Sequence, residues 1–136
     1  MVDTKLTSLL QIQYPILQGG MAWASESHLV AAVSNAGGAG TIGASGRSIG
    51  WLEQEIRRTH ALTQKPFGVN IPVSTDIYSN QAIQVLVQQK PAFVTLSAGK
   101  PSREYVEVLH QGGILVFSVV PNLRAALSCQ SIGVDA

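Results

Sequence analysis

Short apolar runs alternate along the chain with longer segments in which apolar residues recur every three or four positions. The short runs are almost continuously apolar and end at Gly, Ser, Asn or Pro, as is typical of strands buried on both faces. They predict five strands, at residues 15–18, 40–43, 67–71, 92–97 and 114–119. The final residues 134–136, with the sequence VDA, predict the start of a sixth strand.

The periodic segments between these runs predict five helices, and each begins near a residue that can cap it. The first helix covers residues 28–36, with Ser25 or Ser27 as its cap and Gly37 beyond its end. The predicted starts of the later helices are marked by Ser48, Ser79, Ser102 and Asn122. Pro91 is expected to stop the third helix, because proline cannot continue a helical hydrogen-bond ladder.

A strand–helix unit repeated five times predicts a parallel sheet with right-handed crossovers. This pattern leaves an open doubly wound sheet and a (β/α)8 barrel as candidate folds. No GxGxxG turn follows a first strand, and the glycine-rich NAGGAG at residues 35–40 comes after a helix, which disfavours a dinucleotide-binding fold. We interpret residues 35–40 as a helix exit with left-handed glycines, followed by a closely packed strand.

A complete barrel needs about 250 residues, whereas this chain has 136. We therefore expect residues 1–136 to form the N-terminal part of a single α/β barrel domain, covering five βα units and the start of strand six. Such a segment leaves open strand edges, which allow association into a homo-oligomer.

Composition narrows the function classes further. Charged residues make up only 12% of the chain and hydrophobic residues 46%, against about 25% charged in ordinary domains. The formal net charge of +1 gives no basic field for nucleic acid. No apolar run approaches the roughly 20 residues of a membrane span, and the single Cys129 excludes an internal disulfide. A soluble cytoplasmic protein is the expectation.

Candidate chemistry lies where the predicted strands end. After the first strand come Gly20, Met21 and Ala22. Glycines permit close approach to the main chain, and a thioether packs well against a flat ring. A tight turn with Met21 plugging the barrel is the alternative. Asn70 ends the third strand, and its side-chain amide can both donate and accept hydrogen bonds to a ligand. The alternative is that Asn70 simply caps the end of the strand.

The sequence resembles the nitronate monooxygenase family at residues 14–25 (YPILQGGMAWAS), 31–45 (AAVSNAGGAGTIGAS) and 62–71 (LTQKPFGVNI). It is especially similar to the family's enoyl-acyl-carrier-protein reductase II branch. This resemblance implies a (β/α)8 barrel with FMN at the carboxyl ends of its strands. It implies that Gly20, Met21 and Ala22 lie against the flavin ring. By the same resemblance, the flavin's pyrimidine edge bonds to Asn70, and Ser97 and Gly99 line the cavity.

The resemblance implies one of two reactions. One is reduction of a trans-2-enoyl thioester on acyl-carrier protein with NAD(P)H, and the other is oxidation of an alkyl nitronate with O2. The family's catalytic histidine lies in a Gly-Gly-His motif beyond strand six, so His28, His60 and His110 receive no catalytic role. A truncated, inactive half-barrel or an assembly subunit is the alternative, and a small open α/β binding module is disfavoured.

Overall fold

The computed structural model describes residues 3–73 and 76–136. Six helices and four strands follow one another within this part of the chain. Their bounds are α1 Lys5–Leu10, α2 Ser27–Asn35, β1 Thr41–Gly43, α3 Ile49–Leu62, β2 Gly68–Pro72, α4 Asp76–Gln89, β3 Phe93–Ser97, α5 Arg103–Gln111, β4 Leu115–Ser118 and α6 Leu123–Ser131. None of these helices combines the length and apolarity needed to cross a membrane.

The four strands form one parallel sheet in the order β1-β2-β3-β4. The strand order never reverses, as it would at the switch point of a doubly wound sheet. Helices α2 to α5 all pack against the same face, since their apolar residues join one core with those of the strands. The fold is therefore an incomplete (β/α)8 barrel, as the sequence predicted.

The predicted first strand, residues 15–18, is reduced to a single parallel bridge between Leu17 and Ala39. The backbone N–H of Gln18 donates to the Ala39 oxygen at 2.9 Å, and the Ala39 N–H donates to the Ile16 oxygen at 3.0 Å. This segment occupies the first strand position beside β1 without a continuous ladder. Beyond the bridge, the Thr41 N–H donates to the Gln18 side-chain oxygen at 3.1 Å, so a side chain takes the place of the next backbone bond of the ladder.

The predicted sixth strand at residues 134–136 has no assigned strand structure. It nevertheless lies along β4, because the Asp135 N–H donates to the Val116 oxygen at 2.8 Å and the Ser118 N–H donates to the Ala136 oxygen at 2.9 Å. The Asp135 carboxylate also accepts the Val116 N–H at 2.8 Å.

Side chains alternate between the two faces of the sheet along each strand, and this alternation separates two hydrophobic cores. Ile42, Val69, Val94 and Val116 stand in register across the sheet and face the helices, each with no exposed surface. The intervening positions face the other side, which is the inside of the barrel. There Phe93 and Phe117 stack with ring centroids 5.1 Å apart.

Helix α1 closes the amino-terminal end of this inner face. It begins at Thr4 with a reciprocal capping box to Thr7, and its Leu10, with the following Ile12, packs into the same cluster as Phe93 and Phe117. The sequence interpretation assigned no element here. A capping pattern of two threonines three residues apart was the available signal.

Three predicted caps are confirmed: the side chains of Ser48, Ser102 and Asn122 accept backbone N–H groups at the starts of α3, α5 and α6. The predicted start of α4 is wrong, because this helix begins at Asp76 and the Ser79 hydroxyl donates instead to the Pro72 oxygen at 3.2 Å.

The predicted cap of α2 is also wrong. The N-cap is Glu26, and its side chain makes no capping bond. A residue distant in the sequence bonds to the start of the helix instead: the Glu55 carboxylate on α3 accepts the Ser27 N–H at 2.6 Å. The other Glu55 oxygen accepts from the Arg58 guanidinium at 3.1 Å. Because Glu55 is only 2% exposed, this carboxylate links two helices from inside the protein.

Acidification is expected to destabilise the chain through Glu55. Burial raises the pKa of the Glu55 carboxyl, but hydrogen bonds from Ser27 and the bond and charge of Arg58 outweigh burial and hold that pKa below its ordinary value of 4.5. A lowered pKa in the folded state contributes stability above the unfolded-state pKa, and this stability is lost as pH falls through the folded-state value. We expect Glu55→Gln to lower the free energy of unfolding at pH 7 by about 1 kcal/mol.

Urea unfolding from pH 7 to pH 3 measures this effect. The Glu55→Gln variant should lose less stability below pH 4.5 than the parent chain. Glu53→Gln is the matched control, since Glu53 pairs with Arg57 on the outer surface of the same helix. Parallel stability curves for parent and Glu55→Gln across the acid range would contradict the role given to Glu55.

Candidate functional site

Asn70 and Ser97 meet at the carboxyl ends of β2 and β3. The Asn70 amide nitrogen donates to the Ser97 hydroxyl at 3.1 Å and to the Thr95 oxygen at 3.2 Å. The Ser97 hydroxyl lies 3.2 Å from the Asn70 amide oxygen. Asn70 points to the inner face, because its neighbours Val69 and Ile71 face the helices and are fully buried. Sequence alternation thus places an amide, rather than an aliphatic chain, inside the barrel.

Gly20 lies directly against Asn70. A Cβ atom on Gly20 would lie 2.4 Å from the Asn70 Cβ and 3.1 Å from its Cγ. Only a residue without a side chain permits this approach. Three of the residues predicted for the site, Gly20, Asn70 and Ser97, are therefore in one contiguous cluster.

The turn after Gly20 is held from below by Ser25 and β1. The Met21 N–H donates to the Ser25 hydroxyl at 2.7 Å, and this hydroxyl donates to the Met21 oxygen at 3.0 Å. A Cβ on Gly43 would lie 2.6 Å from the same Met21 oxygen. The turn is therefore seated on the end of β1, with the Met21 side chain 45% exposed.

The cluster offers unused hydrogen-bonding groups. Within the described residues, the backbone N–H groups of Gly19, Gly20 and Ala22 donate to no protein acceptor. Both amide hydrogens of Asn70 are used inside the protein, and its oxygen retains a free lone pair. Free N–H donors, one acceptor and an exposed thioether together fit a flat heteroaromatic ring with a polar edge, which is the chemistry of the predicted flavin.

Gly99 lies apart from this cluster. A Cβ on Gly99 would lie 2.9 Å from the Val73 oxygen, so the residue packs against the end of β2. It also lines a cavity of about 810 Å³ between the β3–α5 loop and α6, together with Lys100, Arg124 and Cys129. Gly20, Met21 and Asn70 do not line that cavity.

The sequence interpretation missed Arg47, in the loop after β1. Its guanidinium lies between the rings of Trp23 and Trp51, 4.1 Å and 4.5 Å from their centroids, and pairs with Glu26. The available signal was a single basic residue following a predicted strand, where barrel enzymes place functional side chains.

The three histidines, to which the sequence analysis gave no catalytic role, lie on helices α2, α3 and α5. His60 bonds to the Gln89 oxygen at 2.8 Å and His110 to Asp135 at 2.9 Å, both away from the Asn70 cluster. Cys129 is 6% exposed, so its thiol is a small buried group.

Comparison with known proteins identifies the family. The nitronate monooxygenase family model matches residues 3–82. A probable nitronate monooxygenase of Staphylococcus haemolyticus is 32% identical over 167 aligned positions, which cover 98% of this chain and 47% of that protein.

Solved structures agree with this result. FabK from Thermotoga maritima superposes with a TM-score of 0.94 and 38% identity, covering 99% of this chain and 43% of FabK. The nitroalkane oxidase of Streptomyces ansochromogenes gives a TM-score of 0.88 and 26% identity, covering 97% of this chain and 47% of the oxidase. The chain thus spans less than half the length of each of these three proteins. On the strength of the sequence match and the shared fold, this chain belongs to the nitronate monooxygenase family.

Proposed function

We propose that this chain supplies the flavin-binding wall of an FMN-dependent oxidoreductase. The observation that carries the proposal is the contact of Gly20 with Asn70, and of Asn70 with Ser97, at the carboxyl ends of neighbouring strands. In parallel α/β folds this end of the sheet is where ligands bind. We further propose that residues 1–136 belong to one barrel domain rather than to two units.

Each residue of the cluster has a distinct task in this proposal. Gly20 and Ala22 donate backbone N–H groups to the polar edge of the flavin, and Asn70 accepts through its amide oxygen. Met21 packs its thioether against the ring and excludes water from that side. Ser97 positions Asn70 through their mutual hydrogen bond. When bound, FMN supplies the hydride and electron-transfer chemistry.

Gly99 is the least supported of the predicted residues, because it faces the neighbouring cavity. We propose for it a supporting role in shaping the β3–α5 loop beside Ser97. Its close approach to the Val73 oxygen leaves no room for a side chain there.

The proposed reaction is either reduction of an enoyl thioester with NAD(P)H or oxidation of an alkyl nitronate with O2. The S. haemolyticus relative is called a probable nitronate monooxygenase, which supports the nitronate reaction. FabK, an enoyl-acyl-carrier-protein reductase II, shares the higher identity of the two solved structures compared above, which supports the reductase reaction. We favour the reductase reaction on that difference, with acyl-carrier protein as the partner that presents the substrate.

Flavin binding and turnover test the proposal. The purified chain is titrated with FMN while flavin fluorescence is followed, and then supplied with NADH or NADPH and either an enoyl thioester or an alkyl nitronate. Saturable binding of one FMN per chain supports the flavin-binding wall. Binding of FMN without turnover of either substrate supports the flavin-binding wall. It would also show that the chain alone is inactive, as the half-barrel alternative expects. Absence of binding contradicts the proposal.

Asn70→Ala is expected to weaken FMN binding about fivefold, because one ring-edge acceptor and the Ser97 contact are lost together. The measurement is the same fluorescence titration. Asn80→Ala is the matched control, since Asn80 lies on α4 and bonds to the Tyr105 hydroxyl at 2.8 Å. An unchanged dissociation constant in Asn70→Ala would remove Asn70 from the site.

A further inference from the structure

A clamp of four residues lies beside the proposed flavin site. The clamp consists of Trp23, Glu26, Arg47 and Trp51. The Arg47 guanidinium lies between the two indole rings and pairs with Glu26. Its backbone is fixed as well, because the Arg47 N–H donates to the Ala44 oxygen at 3.1 Å.

Trp23 adopts a backbone conformation that it would not take by itself. Its φ is +65°, in the left-handed region that bulky side chains avoid. Burial of the Trp23 side chain does not offset the cost of this backbone conformation, because Trp23 is 66% exposed. The contacts that hold its ring are Arg47 on one face and Gly46, where a Cβ would lie 3.3 Å from the indole.

Arg47, in contrast, is largely withdrawn from water. Its side chain is 17% exposed, and its Nε atom is buried without a hydrogen-bond partner among the residues that the structure describes. Burying a guanidinium with an unpaired donor is unfavourable. The favourable contacts that Arg47 gains in return are the two rings and the Glu26 carboxylate. Of these partners, Trp23 lies within the turn of residues 21–25 and Glu26 directly follows it.

We propose that Arg47 is a positioning residue for the turn of residues 21–25. By holding Trp23 and Glu26, Arg47 fixes the direction of the chain between them and Met21, while Ser25 fixes the turn from below. This sets the orientation of the Met21 side chain and of the Ala22 N–H. The consequence for FMN rests on the proposed function, whereas the consequence for the turn does not.

Tryptophan fluorescence provides the test, because the chain contains only two tryptophans. Trp51→Phe leaves Trp23 as the single reporter and keeps an aromatic ring beneath Arg47. In this background we compare Arg47→Met, which removes the charge and keeps an unbranched chain, with Arg47→Lys. Time-resolved anisotropy reports local motion of Trp23, and FMN titration reports the site.

We expect Arg47→Met to increase the amplitude of fast Trp23 motion and to weaken FMN binding about two- to fivefold, the equivalent of one lost cation–π contact. Arg47→Lys should fall between parent and Arg47→Met, because it keeps the charge and loses the planar stack. Arg57→Met is the matched control: Arg57 also pairs with a glutamate, yet it is exposed on α3, and neither readout should change.

Unchanged Trp23 motion in Arg47→Met would overturn the proposal. So would increased motion with unchanged affinity for FMN, since Arg47 would then hold Trp23 without positioning the site. If the parent chain binds no FMN, the proposed function fails, and the anisotropy alone still supports or overturns the positioning of the turn.

Discussion

Replacing Gly68 by alanine is expected to lower the free energy of unfolding by about 3 kcal/mol or more, as severe overpacking of a core does. A Cβ on Gly68 would lie 2.3–2.6 Å from three ring atoms of Phe93. Phe93 cannot move aside easily, because it is 1% exposed and stacked on Phe117. The inner face of the barrel therefore requires glycine at this position for reasons of space. Chemical unfolding followed by circular dichroism measures the loss.

Gly50→Ala is the matched control for this variant. Gly50 lies in the first turn of α3, and a Cβ there would meet nothing within 4 Å, so alanine should stabilise the protein by about 0.5 kcal/mol. The double variant Gly68→Ala, Phe93→Leu should recover part of the loss by relieving the contact. A Gly68→Ala chain as stable as its parent would show that Phe93 does not fill this space.

Gly20→Ala is expected to weaken FMN binding about tenfold or more, equivalent to about 1.4 kcal/mol. The new Cβ would lie 2.4 Å from the Asn70 Cβ, so either the turn or Asn70 must move. Each shift separates the backbone donors of the turn from the Asn70 acceptor. Because Gly20 is exposed and Asn70 only half-buried, the melting temperature should change much less than the affinity.

The neighbouring Gly19 supplies the control. A Cβ on Gly19 meets nothing within 4 Å, so Gly19→Ala should leave the position of Asn70 unchanged and the FMN affinity within about twofold of the parent. Fluorescence titration of the two alanine variants side by side decides the question. Equal affinities in Gly19→Ala and Gly20→Ala would contradict the importance of the Gly20–Asn70 contact.

The succession of elements was predictable because each unit carries its own local signals. Apolar runs placed β1 to β4 within a residue or two, and side-chain caps marked the starts of α3, α5 and α6. The left-handed backbone of Gly37, with φ of +99°, was predicted from its place after a helix. The close packing of Gly40, where a Cβ would lie 2.3 Å from the Val30 oxygen, was predicted from its place entering a strand. These features depend on neighbouring residues in the chain, so the sequence is sufficient to reveal them.

The predictions that were wrong or missed concern features that depend on residues distant in the sequence. Glu55 takes the place of a local cap at α2, although 28 residues separate it from Ser27. The first strand position depends on pairing with Ala39, which the apolar run alone does not specify. Arg47 was missed for the same reason, since its ring partners are separated from one another by the whole of α2 and β1.

The candidate site was predictable in part. Strand ends identified Gly20, Asn70 and Ser97, and parallel pairing brings such ends together. Sequence could not reveal that Gly20 touches Asn70, because the contact depends on the path of an irregular turn. Nor could it separate Gly99, two residues after Ser97, from the cluster.

The position of α1 has a consequence for the order of assembly. Helix α1 is synthesised before all the βα units that follow it, yet its Leu10 packs with Phe93 and Phe117, which lie far along the chain. Such distant partners raise contact order, and the associated loop closure delays docking. On the ribosome, the βα units between them can collapse pairwise first, while α1 can dock on the inner face only after β3 and β4 have emerged.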